Sequence, residues 1–234
     1  MDSFISKLAR ERIVDELNRE DANGQTALLL AAAHGHTKVL NYLLKQSVNV
    51  NHQNRDNDSI LHLLVKNKRN NALEFLLKWN ASENKLDVDL KNSQGFTALH
   101  LASQSSNEEA IYYLCSYDAY INMVDNEKRT PLQLAILSRS PSESKVNAIL
   151  ALMRCGADYT RALEFCAENN IVDDASRGAI SNYMLQNGQF KPNEQLSKVK
   201  LEKICNLVFQ GGSVKGKFFI INQRQERIYR SAGR

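Results

Sequence analysis

Short apolar segments recur along the first two thirds of the chain, and each begins with a small residue just before a helical pattern. The recurring sets are Thr26-Ala27-Leu28, Ser59-Ile60-Leu61, Thr97-Ala98-Leu99 and Thr130-Pro131-Leu132, at intervals of 33, 38 and 33 residues. An interval of this size indicates a repeat architecture in which each unit is one small structural motif. The longer middle interval predicts an insertion of about five residues, near residues 82–86 of the second unit.

The residues at the start of each set suit the beginning of a helix. The hydroxyl groups of Thr26, Ser59, Thr97 and Thr130 can accept hydrogen bonds from the first free backbone N–H groups. Pro131 then occupies the first helical position, where its missing N–H has no consequence. Two residues before the hydroxyl stand Gly24, Asn57, Gly95 and Lys128. Glycine and asparagine favour a tight turn with positive φ, so Lys128 departs from the pattern in the fourth unit.

A second apolar helix follows in each unit. Its predicted apolar faces are Val39, Tyr42, Leu43 and Leu44; Ala72, Phe75, Leu76 and Leu77; Ala110, Ile111, Tyr113 and Leu114; and Val146, Ile149, Leu150 and Leu152. Each face then runs into turn residues that lead to the next unit. The sequence therefore predicts four consecutive helix-turn-helix units.

These units resemble the ankyrin signature, in which Thr-Pro-Leu-His is followed by two small residues, Gly-His, a Val-Leu-Leu helix and Gly-Ala-Asp. The closest copies are residues 24–36, with Gly35-His36, and residues 95–102, with His100-Leu101-Ala102. The second unit departs most, because Leu64-Val65 stands where small residues are usual. The resemblance implies an all-α solenoid of helix-turn-helix units with short β-hairpins, whose concave groove binds another protein.

Four regions are predicted along the chain. Residues 1–20 are N-terminal capping helices, residues 21–159 are four ankyrin repeats, and residues 160–188 are a degenerate C-terminal capping repeat. Capping units are expected because each repeat buries its apolar face only on its neighbours. Residues 189–234 form a small C-terminal extension, with a predicted helix around Leu201–Val208 and a strand around Lys217–Ile221.

The extension is basic, whereas the rest of the chain is mildly acidic. Residues 191–234 hold ten Lys and Arg against three Asp and Glu, a net charge of +7, which leaves −3 for the remainder. Three interpretations stay open: an extension of the cap, the start of a catalytic domain that the repeats target, or a nucleic-acid-binding or anionic-membrane-binding element.

No sequence motif indicates catalysis, a metal or a cofactor. The four cysteines, Cys115, Cys155, Cys166 and Cys205, fit no common zinc spacing, and we expect reduced, mostly buried thiols. His62 and His100 stand at the position of the ankyrin-signature histidine, which implies a structural hydrogen bond to neighbouring backbone. A Cys115–His100 nucleophile is the less favoured alternative. We therefore expect a binding protein with no cofactor rather than an enzyme.

The resemblance places the partner-binding residues at the hairpin tips and first helices. They are Asn23, Gln25, His34, Arg55, Asp56, Asp58, Lys66, Asn67, Gln94, Phe96, Gln104, Asn126, Glu127 and Arg129. Phe96 has two interpretations: an exposed aromatic that anchors the partner, or a side chain that packs on the neighbouring hairpin.

The remaining expectations concern targeting, oligomeric state and location in the cell. No secretory signal peptide is expected at the N-terminus, and a monomeric, cytoplasmic protein is predicted. Abundant Asn and Lys and irregular repeats resemble ankyrin effectors that intracellular bacteria deliver into host cells, which implies a host protein as partner and the host cytoplasm as location.

Overall fold

The computed structural model describes residues 12–46 and 48–169, together with Ser176, Ile180 and Tyr183. The chain divides into one unit up to Tyr159 and a second from Thr160 onward. The second contains most of α9 (Tyr159–Asn169), with Ala162 and Ile180 buried. The predicted helix at Leu201–Val208 and strand at Lys217–Ile221 lie outside the described residues.

The first unit is built from four pairs of helices, as the repeat predicts. The first helices are α1 (Ala27–His34), α3 (Ile60–Lys66), α5 (Ala98–Gln104) and α7 (Pro131–Leu137). The second helices are α2 (Thr37–Leu44), α4 (Asn70–Glu83), α6 (Glu108–Ser116) and α8 (Ser142–Arg154). Each first helix packs on its own second helix and on the first helix of the next pair. A helical segment at residues 12–17 precedes them.

The repeated leucines form the centre of this stack. Leu28, Leu61, Leu99 and Leu132 are each 1% exposed, and burial of one such side chain contributes about 1.5–3 kcal/mol. The hydroxyl caps are confirmed: Oγ1 of Thr97 accepts from the backbone N–H of His100 at 3.4 Å. In the fourth repeat, Oγ1 of Thr130 likewise accepts from the backbone N–H of Gln133 at 3.4 Å. The predicted all-α fold is therefore confirmed, in the predicted register.

The predicted β-hairpins are present as hydrogen-bonded turns, and no described residue lies in a strand. In each turn the first residue donates its backbone N–H to the carbonyl of the fifth. The pairs are Asp21 and Gln25 at 2.9 Å, Asn54 and Asp58 at 3.1 Å, Asn92 and Phe96 at 2.9 Å, and Asp125 and Arg129 at 3.0 Å.

The predicted insertion lengthens a helix rather than a loop. α4 has 14 residues, whereas α2 has 8 and α6 has 9. The side-chain oxygen of Asn80 accepts from the backbone N–H groups of Lys85 at 3.0 Å and Leu86 at 2.8 Å. Leu86 is buried, so the added turn is fixed at its end by both polar and apolar contacts.

Lys128 adopts the same backbone conformation as the Gly or Asn residue at the equivalent position of the other three repeats. Its φ is 62°, beside 73° for Gly24, 59° for Asn57 and 76° for Gly95. The fourth turn therefore forms in spite of a residue type that disfavours left-handed backbone.

Replacing Lys128 with glycine is expected to raise the free energy of unfolding by about 0.5–1 kcal/mol, because glycine adopts positive φ without steric strain. Urea denaturation measures the change. Lys45→Gly is the matched control, since Lys45 is an exposed lysine whose φ is −80°. Equal destabilisation by both substitutions would show that positive φ at Lys128 carries no cost.

Candidate functional site

The tips of successive turns are joined by backbone hydrogen bonds. In each step an N–H of one turn donates to a carbonyl of the preceding turn. The bonds link Arg55 to Asn23 at 3.2 Å, Ser93 to Asp56 at 3.0 Å and Asn126 to Gln94 at 3.4 Å. We call these six residues the tip row. Its backbone is continuous from the first repeat to the fourth.

Gly95 allows the closest approach within the tip row. A Cβ atom at this position would lie 2.6 Å from the backbone nitrogen of Asn126, which is too close for a real contact. The side chain of Asn126 also bonds to the third turn, since its Nδ2 donates to the carbonyl of Ser93 at 3.1 Å. The third and fourth turns are thus held in direct contact by their backbones.

Each turn is also fixed from inside by one carboxylate or amide side chain. Oδ1 of Asp125 accepts from the backbone N–H groups of Glu127 at 2.9 Å and Arg129 at 2.8 Å. Asp21, Asn54 and Asn92 do the same in the other three turns. The sequence analysis missed these residues. The signal was available, since an Asp or Asn stands five residues before every hydroxyl cap.

Several predicted binding residues are exposed and make no hydrogen bond or ion pair through their side chains within the described part of the chain. They are Asn23, Arg55, Asp56, Gln94 and Gln104. The first four belong to the tip row, and Gln104 ends the first helix of the third repeat. Hydrogen bonds between turns, a backbone ladder, hold the backbones of these four tip-row residues, and all five side chains are exposed.

Other predicted binding residues are engaged within the fold. Lys66 forms an ion pair with Asp58, whose side chain also accepts from Nδ2 of Asn92 at 3.1 Å. Asp58 is only 3% exposed, so its predicted place on the accessible surface is wrong. Asn67 remains exposed, although its amide Nδ2 donates to the carbonyl of Leu63 at 2.8 Å.

The first and fourth repeats hold the remaining predicted residues. His34 is exposed and its ring stacks on His36 with 5.7 Å between centroids. Gln25 is half-buried, and its Oε1 has no hydrogen-bond partner in the described part. Glu127 is exposed but pairs with a guanidinium nitrogen of Arg129 at 2.7 Å. Arg129 also contacts Oδ2 of Asp125 at 2.8 Å, so its guanidinium is largely engaged in ion pairs within the fold.

Phe96 is buried, and the expectation of an exposed anchor is wrong. Its side chain is 5% exposed and stacks on the ring of His100 with 5.9 Å between centroids. The guanidinium carbon of Arg129, from the next turn, lies over the ring at 5.8 Å from its centroid. Phe96 therefore packs on the neighbouring hairpin, the second of the two interpretations, and contributes to the fold.

The signature histidines make the backbone hydrogen bonds that the resemblance implied. Nε2 of His62 donates to the carbonyl of Phe96 at 2.7 Å, and Nε2 of His100 donates to that of Arg129 at 3.2 Å. In the same rings Nδ1 accepts from the backbone N–H of Ser59 at 3.1 Å and of Thr97 at 3.2 Å. Both nitrogens are used, so each ring is neutral with its proton on Nε2.

Burial lowers the pKa of both histidines, and it lowers the pKa of His100 to about 4. The Phe96 carbonyl opposes this effect at His62, as the Arg129 carbonyl does at His100. A second proton would have to sit on Nδ1, facing the N–H of the helix cap. These imidazoles therefore link one repeat to the next and are not placed as bases or metal ligands.

The described residues contain no group of three His, Cys, Asp or Glu side chains that could hold a metal ion. The less favoured Cys115–His100 nucleophile is not assembled, because both nitrogens of His100 are engaged in hydrogen bonds to backbone groups. Among the described helices, none has the length and apolarity that a membrane span requires.

Comparison with known proteins agrees with this architecture. The family described as "Ankyrin repeats (3 copies)" matches residues 4–87 and 82–162. Inversin from dog, human and mouse is 32% identical over 127 residues, which is 54% of this chain and 12% of inversin. The match thus spans about an eighth of the length of these relatives. Ankyrin repeats are protein-interaction modules, and on the strength of the family match this chain belongs to the ankyrin-repeat family.

Proposed function

We propose that this chain binds a partner protein through the concave groove that the tip row and the exposed ends of the first helices form in ankyrin proteins. One observation carries the proposal. Asn23, Arg55, Asp56 and Gln94 present exposed polar side chains that have no partner among the described residues, on backbones that hydrogen bonds hold in a fixed row. A surface ordered before binding loses little conformational freedom when a partner docks.

Arg55 is the residue from which we expect the largest contribution. Arginine is enriched among residues that dominate binding energy, and the Arg55 side chain has no ion pair in the described part. The other arginine of the predicted site, Arg129, is held by Asp125 and Glu127 and lies over Phe96. Substitution of Arg129 would disturb the fold, so Arg55 is the cleaner probe.

A variant with Asn23, Arg55, Asp56 and Gln94 all changed to alanine is expected to lose the partner and keep its fold. The full chain and the variant are used to capture proteins from a eukaryotic lysate, and mass spectrometry identifies what each retains. A control variant changes Asn41, Lys45, Asn71 and Glu143 to alanine, which removes one positive and one negative charge from exposed sites on or beside the second helices.

For a protein so identified, Arg55→Ala alone is expected to weaken binding by about 1–2 kcal/mol in a calorimetric titration. Loss of the same protein from the control variant, with retention by the tip-row variant, would place the interface on the second helices and contradict the proposal.

The charge of residues 191–234 supports a second candidate, in which this extension binds nucleic acid or an anionic membrane. The third interpretation, that the extension begins a catalytic domain which the repeats target, stays a prediction. These interpretations concern residues outside the described part. Capture with a chain ending at residue 189 distinguishes them from groove binding. A partner kept by the shortened chain docks on the repeats, whereas loss of RNA or anionic vesicles at low salt assigns that binding to the extension.

The compositional resemblance to bacterial effectors extends the proposal to a host protein as partner and the host cytoplasm as location. Parallel capture from eukaryotic and bacterial lysates tests it, since a specific partner found only in the bacterial lysate would contradict an effector role. Monomeric state is a further prediction, which light scattering of the full chain checks.

A further inference from the structure

Two cysteines from neighbouring repeats meet on the side of the stack formed by the second helices. Cys115 lies in the last turn of α6, and Cys155 directly follows α8, which packs against α6. Neither is in a disulfide and both are partly exposed. Each thiol shifts the pKa of the other, with a hydrogen bond from Cys115 to Cys155 as the first cause. The sequence predicted mostly buried thiols and gave no reason to pair these two, which are 40 positions apart.

Both thiols line one cavity of about 630 Å³. Cavities of a few hundred Å³ accommodate small molecules, so a reagent of peptide size has room to reach the sulfur atoms. The titratable groups that share the lining are Glu108, Glu109, Tyr112, Tyr113 and Arg154. The cavity thus joins two thiols in contact, aromatic surface and charges of both signs.

The hydrogen bond makes the two sulfurs chemically unequal. The Cys115 thiol donates to the sulfur of Cys155 and lowers the pKa of Cys155 to about 7, although burial acts in the opposite direction. The same bond, together with burial, raises the pKa of Cys115. Cys155 is therefore the thiol that ionises first, with Cys115 as its protonated neighbour. A thiol whose pKa is close to the ambient pH is the most effective attacking group in thiol–disulfide exchange.

We propose that Cys115 and Cys155 are an oxidisable dithiol pair that low-molecular-weight disulfides, such as glutathione disulfide, convert into a disulfide bond between the third and fourth repeats. The thiolate of Cys155 attacks one sulfur of glutathione disulfide, its sulfur–sulfur bond breaks, and one glutathione thiolate leaves. Cys115 then gives its proton to solvent and attacks the Cys155 sulfur of the mixed disulfide, which releases the second glutathione thiolate. Two protein thiols are oxidised and one small disulfide is reduced to two thiols.

The new bond would tie α6 to the end of α8. Because both thiols line one cavity and their helices pack together, we expect the bond to form with little movement of either helix. A cross-link over 40 positions restricts the unfolded chain and thereby stabilises this part of the stack.

The test begins with the full, fully reduced chain in buffers of glutathione and glutathione disulfide. After an acid quench, proteolysis without reductant and mass spectrometry are expected to reveal one cross-linked peptide pair containing Cys115 and Cys155. A variant with Cys166→Ser and Cys205→Ser is the control, and it is expected to form the same cross-link. Cross-links that join Cys115 or Cys155 mainly to Cys166 or Cys205, or no cross-link in excess glutathione disulfide, would overturn the proposal.

Single substitutions test the order of the two steps. In Cys115→Ser, Cys155 is expected to keep a glutathione adduct, because the resolving thiol is missing. In Cys155→Ser, Cys115 is expected to remain unmodified over the same time. Equal modification of the two variants would contradict the assignment of Cys155 as the attacking group. Alkylation rates of both cysteines in the unsubstituted chain provide the same comparison without any change that could affect folding.

Scanning calorimetry measures the consequence for stability. The oxidised chain is expected to melt about 5–10 °C above the reduced chain. The double variant Cys115→Ser, Cys155→Ser is expected to melt at one temperature under both conditions. An unchanged melting temperature in a fully cross-linked sample would show that the bond does not tie the repeats together.

Discussion

Replacing Phe96 with alanine is expected to lower the free energy of unfolding by about 3–5 kcal/mol. The ring is 5% exposed, stacks on His100 and lies under the guanidinium of Arg129, so its removal leaves a cavity between the third and fourth repeats. Urea denaturation followed by circular dichroism measures the loss. It is a large part of the roughly 5–15 kcal/mol that stabilises an ordinary domain.

Tyr120→Ala is the matched control for Phe96→Ala, because it removes an aromatic ring that is 59% exposed. Its expected cost is below about 1 kcal/mol. If the Phe96 variant unfolds at the same urea concentration as the unsubstituted chain, the ring does not support the repeat interface. In either case, loss of partner binding by Phe96→Ala does not by itself locate a contact.

Changing His62 and His100 to glutamine is expected to remove much of the acid sensitivity of the repeats. For His100 the pKa falls from 6.5 to about 4 on folding, so the unfolded chain takes up the proton first as the pH drops. The contribution of neutral His100 to the free energy of unfolding is fully present above pH 6.5, and it is lost progressively as the pH falls to about 4. For His100 alone this loss amounts to about 3 kcal/mol.

The fourth repeat supplies the model for this substitution. Gln133 stands where the second and third repeats have histidine, and its Oε1 accepts from the backbone N–H of Thr130 at 2.8 Å. Glutamine therefore retains the helix cap and does not titrate. Urea denaturation at pH 7 and pH 4 compares the two chains, with His34→Gln as control because the His34 ring is exposed and caps no helix. An equal loss of stability at pH 4 in all three chains would assign the acid sensitivity to other groups.

The sequence was sufficient for the fold because the determining contacts are local and repeated. Thr97 and His100 stand three residues apart, and their hydrogen bonds close within one helical turn. The same chemistry in four units fixed the register and the place of the insertion. Exposed positions at the turn tips followed from the same register, as with Arg55 and Gln94.

Two features that the sequence did not settle, the burial of Phe96 and the meeting of Cys115 with Cys155, join different repeats. Burial of Phe96 depends on Arg129, which lies 33 positions later and is drawn over the ring while it pairs with Asp125. Contact between Cys115 and Cys155 depends on the extra length of α8, which moves the second cysteine out of the 33-residue spacing. The spacing of residues along the sequence does not predict such side-chain contacts between repeats, because they depend on how whole helices pack.

If the tip row binds the partner as proposed, its backbone ladder separates the residues' contribution to folding from their contribution to recognition. Its hydrogen bonds use main-chain atoms, which every residue except proline supplies in full, so Asn23, Arg55, Asp56 and Gln94 can be exchanged with little effect on the scaffold. Substitutions there would be nearly neutral for stability while they alter specificity. A lineage carrying this fold could therefore acquire a new partner through a few surface changes, without first passing through unstable intermediates.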